Sequence, residues 1–228
     1  MMKKSEKRAV IAIICVIIAL IAVSFGVKML RRFDYADHLD ETVITVDKNN
    51  ITLREFGYYV FRVEAFIQKQ ALIYDPDDPV HWWHIHFDAG EDSQFVSDYA
   101  KTFAISLCIA EEIYCREALS RGMALDENEE DLMIDDAMEM LDNMDAEQMA
   151  ATGLDKDMVL ELSRKHALAS KYAAWLAENA DLAAYPGEAA KLVDWDGAYY
   201  REVILPKHSV VTNDRLLDKI TLGTITVN

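Results

Sequence analysis

The sequence predicts a mainly α-helical chain: an N-terminal transmembrane helix, then a helical bundle with a small β-sheet formed by strands from both ends of the domain. Three observations predict it. Residues 9–27 carry no charge. Four later segments repeat apolar residues at spacings of three and four, the period of a helix with one buried face. Two short apolar runs, Val43–Val46 and Val203–Leu205, stand at opposite ends of the remaining chain without a local hairpin partner of similar quality.

The anchor comes first. At 1.5 Å rise per residue, the run from Ala9 to Val27 spans roughly 28 Å, close to the ~30 Å hydrocarbon core of a bilayer. A cleaved signal peptide would have a shorter apolar core and a small-x-small cleavage site. The stretch Lys28-Met29-Leu30-Arg31-Arg32 offers no such site, and Ile14 stands before Cys15 where a lipoprotein site needs a small residue. Lys3, Lys4, Lys7 and Arg8 precede the run, and Lys28, Arg31 and Arg32 follow it, a slight positive-inside bias. A long downstream domain translocates largely regardless of that count. The expected arrangement is a single-pass cell-membrane protein, held through residues 9–27, with its domain on the extracytoplasmic side.

Residues 1–32 hold seven of the 23 basic residues and one of the 40 acidic ones, which leaves 16 against 39 downstream. Such a domain repels nucleic acid and anionic headgroups, and excess charge of one sign keeps it in solution. The organisation expected is a tail and anchor over 1–32, a polar tether over 33–41, and one domain over 42–228, helical from 52 to 180 and closed by strands and a short helix in 199–228.

The elements follow in order. Val43–Val46 reads as a strand, Asp47–Asn50 as a turn, and Ile51 as the start of a second short strand. Thr52 and Glu55 form a capping box. The helix behind it carries Phe56, Tyr59, Val60, Val63, Ile67, Ala71 and Tyr74 on one side, until Asp75-Pro76 stops it. Residues 75–92 read as a loop rich in tryptophan and histidine. A second helix is predicted from Ser93 to Arg121, faced by Val96, Tyr99, Phe103, Leu107, Ala110, Tyr114 and Ala118, with Gly122 at C′. Asp126 and Glu129 cap a third, whose stripe is Ile134, Ala137, Met138 and Leu141. Asp155 caps a fourth, running to about Ala180 with apolar positions on two adjacent stripes. Beyond Pro186-Gly187, residues 199–205 read as a strand pairing with 43–46, Asn213–Ile220 as a short helix, and Ile225–Val227 as a last strand. Cys108 and Cys115 lie seven apart on one helix, a rise of about 10 Å that exceeds the ~7 Å Cα limit for a disulfide, so they read as core thiols.

This order of elements resembles a known family. Val43–Phe56 (V-I-T-V-D-K-N-N-I-T-L-R-E-F), the segment I-Y-C-R-E-A-L-S-R-G-M-A-L-D-E-N-E from Ile113, and T-G-L-D-K-D-M-V-L-E-L-S-R-K-H-A-L-A-S-K-Y from Thr152 carry the likeness, together with the anchor and its short basic tail. They are similar to the N-terminal chaperone domain of the SurA/PrsA/trigger-factor-like group of extracytoplasmic folding factors. The resemblance covers residues 43–180. It implies a membrane-anchored protein that holds unfolded or nascent secreted and envelope polypeptides. Many members insert a parvulin-type prolyl isomerase domain after the return helix. Such an insert has no room in residues 181–228, so no isomerase domain is expected. A degenerate or atypical peptidyl-prolyl isomerase and a structural subunit of an envelope complex are the alternative readings.

No glycine-rich phosphate loop, nucleophile elbow or zinc-protease motif is present, so no catalytic residue is assigned. His81, His84 and His86 with Asp78 or Asp88 follow no standard zinc spacing, and Asp75, Asp77 and Asp78 lack the calcium-loop pattern, so no metal and no cofactor is expected. Apart from Met1, Met2 and Met29, every methionine lies between 123 and 158, and residues 126–161 hold fourteen acids against Lys156 alone. Methionine suits surfaces that accept varied apolar partners, and an acidic rim favours basic segments. Exposed tryptophans are natural binding anchors. The client-binding candidates are therefore Trp82, Trp83, Met133, Met138, Met140 and Met144. The plainer reading of both groups is core packing beneath a solvated acidic face.

Overall fold

The computed structural model describes residues 33–86 and 93–227. The anchor expected over residues 9–27 lies outside them. Among the described residues no helix is long and apolar enough to cross a membrane. The unit from Tyr35 onward is mainly helical, with one three-stranded antiparallel sheet of order β2-β1-β3.

β1 (Thr42–Val46) pairs with β2 (Asn49–Thr52) across a tight turn and, on its other edge, with β3 (Val210–Thr212). Both chain ends thus contribute to the sheet, but the C-terminal strand is not the one predicted. Residues 199–205 are helical: a π-turn over Tyr200–Ile204 leads into a 3-10 turn over Leu205–Lys207. Tyr200 and Ile204, four apart, are the buried pair, with Tyr200 edge-on to Tyr114. That is helical spacing, and Pro206 then lets the chain enter β3 instead. Asp47 fastens the junction. It sits at φ +55°, and its carboxylate accepts from the Ser209 N–H at 2.9 Å and His208 Nδ1 at 3.0 Å, with Arg116 at 3.2 Å.

The expected tether is part of the domain from Tyr35 on. Tyr35 is buried and its hydroxyl donates to the Leu53 carbonyl. Arg54 reaches back to Asp40 and across to the Gly153 carbonyl.

The helices are α1 (Leu53–Tyr74), α2 (Pro79–Trp82), α3 (Val96–Ser120), α4 (Glu127–Asp142), α5 (Ala146–Thr152), α6 (Lys156–Asn179), α7 (Ala189–Val193) and α8 (Asp214–Leu217). The capping boxes Thr52/Glu55 and Asp126/Glu129 form as the sequence indicates, and Asp145/Gln148 adds a third. Cys108 and Cys115 are free and buried. Three faces differ from expectation. On α1, Tyr74 is 66% exposed. On α3 Val96, Ala110, Tyr114 and Ala118 of the predicted face are buried, but in its first half Ala100, Ala104 and Cys108 face inward, while Tyr99 and Phe103 join a ladder with Trp195 at the side. On α4 the buried residues are Met133 and Ala137, and Ile134 points outward.

Ile225–Val227 is not a strand either. The C-terminal tail is held by a side chain: Glu64, fully buried on α1, accepts from the backbone N–H groups of Gly223 at 2.5 Å and Thr226 at 2.6 Å, from the Thr226 hydroxyl at 2.5 Å, and more weakly from Ile225. Burial raises the pKa of the carboxyl, and these bonds oppose that rise without cancelling it. Four donors aimed at two oxygens match the ionised form. In Glu64→Gln the amide nitrogen would face donors whichever way it turned. The substitution is expected to cost about 2–4 kcal/mol, since an unmatched buried donor costs ~1–3 kcal/mol; denaturant unfolding measures it, and an unchanged midpoint would mean that the tail is not latched through this carboxylate.

Candidate functional site

An open groove of about 780 Å³ lies between α1, α4 and α6. Its α1 wall carries Tyr58, Phe61, Arg62, Phe66 and Lys69, residues at i, i+3, i+4, i+8 and i+11, which one helical face collects. From α4 come Leu132, Met133, Asp136, Glu139 and Met140, and from α6 Ser163, His166 and Lys171. Two large apolar side chains stand in water on its walls: Phe66 is 52% and Leu132 64% exposed.

Beneath the groove a polar cluster joins three helices. Glu111 Oε1, on α3, accepts from Arg62 Nη1 at 3.1 Å and from His166 Nδ1 at 2.7 Å. On its other side the His166 ring meets Arg62, with Nε2 3.3 Å from Nη2. Arg62 also lies over the Tyr58 ring at 5.3 Å, and the Tyr58 hydroxyl meets Ser163 Oγ at 3.3 Å. Burial pushes the Glu111 carboxyl up, but His166 and Arg62 outweigh it and hold the group below the usual carboxylate range. The cluster fixes α1, α3 and α6 at one point, in a groove whose lining mixes apolar and charged side chains. At the α6 edge, Lys171 is held by Glu129 at 2.5 Å, and outside the groove Arg164 is held by Glu130 at 2.7 Å.

The six client-binding candidates divide. Met133 and Met140 both line the groove, Met133 buried in its wall and Met140 half-exposed. Met138 is half-buried outside the lining, and Met144 is buried. Trp82 stacks on Tyr74 with centroids 4.9 Å apart. Trp83 is 1% exposed and packs inside. Residues not singled out in the sequence, Phe66, Leu132 and Arg62, do more to shape the groove than the tryptophans. A signal for them existed: Tyr58, Phe61, Ala65 and Phe66 form a second apolar stripe on α1 beside the buried one.

In the histidine loop, His81 lies near Asp75 and His86 near Ser93. Among the described residues no three His, Cys, Asp or Glu side chains are grouped to hold a metal ion; Asp88 lies outside them.

No family model, curated protein or solved structure matches the chain.

Proposed function

We propose that this chain is a membrane-anchored, extracytoplasmic chaperone-like protein that holds unfolded secreted or envelope polypeptides in the groove between α1, α4 and α6. The observation that carries the reading is the groove itself. It is open, walled by helices, and presents Phe66, Leu132 and Met140 to solvent. Covering such surface is favourable by ~25 cal/mol per Å², reversible, and indifferent to client sequence, which is what holding requires. The flexible Met140 side chain adapts to different apolar partners. The likeness to the SurA/PrsA/trigger-factor-like chaperone domain and the uncharged run at residues 9–27 support the same reading and supply its membrane location.

The full chain in lipid nanodiscs is expected to suppress aggregation of several unrelated unfolded proteins. Met140→Asp places a charge in the groove and should weaken suppression several-fold. Its melting temperature should stay within about a degree or two, since partly exposed positions usually cost within ±0.5 kcal/mol. Suppression equal to that of the unsubstituted chain would remove the groove from the proposal.

A further inference from the structure

We infer that the groove selects cationic segments: its preferred occupant is a stretch of polypeptide with apolar side chains flanked by lysine or arginine, and Asp136 and Glu139 make the choice. The inference rests on the groove-binding reading above and adds the chemistry of the bound segment.

It follows from which charges in the groove are already spent. Among the described residues that line it are three acids, Glu129, Asp136 and Glu139, three cations, Arg62, Lys69 and Lys171, and His166, which is taken up by Glu111. Lys171 is neutralised by Glu129 at 2.5 Å. Arg62 is neutralised from below by Glu111 at 3.1 Å. Among the described residues Asp136 and Glu139 form no ion pair, and both are exposed. They lie three apart on α4, hence on one face, about 5–6 Å from each other. Among the described residues that line the groove, Lys69, on the opposite wall, is the remaining cation without an ion pair. The trough therefore presents two free carboxylates to one free ammonium, beside Leu132, Met133 and Met140 of the same helix. A segment that buries its apolar side chains against those residues brings its own flanking charges to Asp136 and Glu139. Cations gain there and anions are repelled. The chain as a whole carries a formal net charge of −17, which draws the same class of segment at long range but does not position it.

The test uses the full chain in nanodiscs of zwitterionic lipid and fluorescent peptides of one apolar pattern, with the remaining positions all lysine, all glutamine or all glutamate. The lysine peptide is expected to bind about fivefold to tenfold more tightly than the glutamine peptide, in keeping with two partly exposed ion pairs, and the advantage should shrink at high salt. Asp136→Asn combined with Glu139→Gln should abolish the advantage and leave binding of the glutamine peptide unchanged. Asp131→Asn combined with Asp135→Asn removes the same charge from α4 outside the groove and should leave the advantage intact. If both double variants reduced it equally, bulk charge and not the groove would set the preference, and the inference would fall. Equal binding of all three peptides would also overturn it while leaving the groove reading standing. Binding of none would remove the groove reading itself.

Discussion

Glu112→Ala is expected to destabilise the domain by about 3–5 kcal/mol, the usual cost of removing one partner from a buried ion pair. Glu112 lies on α3 with its side chain 2% exposed, and its Oε2 takes the Lys165 ammonium of α6 at 2.5 Å. Its Oε1 accepts from Asn49 Nδ2 at 2.8 Å, at the start of β2. One carboxylate thus ties two helices to the sheet. Burial works against the Lys165 charge, and Glu112 outweighs it, so that the ammonium is held more firmly than an ordinary lysine. Without Glu112 the Lys165 ammonium loses the carboxylate bonded to it while its side chain stays largely buried. For a domain of this size about 1 kcal/mol corresponds to ~2–4 °C, so the melting temperature should fall by roughly 6–20 °C. Glu112→Leu combined with Lys165→Met should recover most of the loss, because apolar packing replaces a buried pair at little cost. A single variant that melted within two degrees of the parent would show that water already reaches the pair.

What was legible in the sequence divides along a physical line. Features closed by residues three or four apart were readable: the capping boxes at Thr52 and Asp126, the glycine stop at Gly122, and the β1–β2 turn all depend on local chemistry alone. Helix azimuth was not. A 3.6-residue period leaves neighbouring stripes nearly equivalent in apolar content, and the choice between them is made by what the facing helix can admit. On α3 the larger stripe of Tyr99, Phe103 and Leu107 looked like the core, yet Ala100, Ala104 and Cys108 face inward, as small side chains allow close approach. On α4 Ala137 is buried as expected, but Met133 takes the place of Ile134, and Met138 and Leu141 are only half-buried. The acids Glu64, Glu111 and Glu112 escaped notice for a related reason. Each is buried against a partner from 49 to 162 residues away, and no local pattern marks such a pairing. The groove inherits both difficulties, since it is made of the stripes that the core leaves over.

Trp83 carries the other large expected effect, and it separates two roles that adjacent tryptophans suggest. Trp83→Ala should cost about 3–5 kcal/mol, the range for a buried aromatic truncated to alanine. The residue is 1% exposed, and its indole N–H donates to Gln68 Oε1 at 3.0 Å on α1. Against its ring lies Gly223, at φ +87°, where an added Cβ would stand 2.4 Å from the indole. The glycine is therefore required twice, by its backbone conformation and by the ring's approach. Gly223 is also one of the residues whose N–H binds Glu64. Removing the indole would empty the space between α1 and the tail and loosen the latch from its outer side. Trp82→Ala, by contrast, removes a half-buried ring stacked on the exposed Tyr74, a contact worth about 0.5–1.5 kcal/mol beyond area burial. Thermal melts of the two variants should differ several-fold in the size of the drop, with Trp83→Ala the larger. If Trp83→Ala melted like the parent while client holding fell, Trp83 would be a binding anchor, and its close packing against Gly223 would have to open in solution.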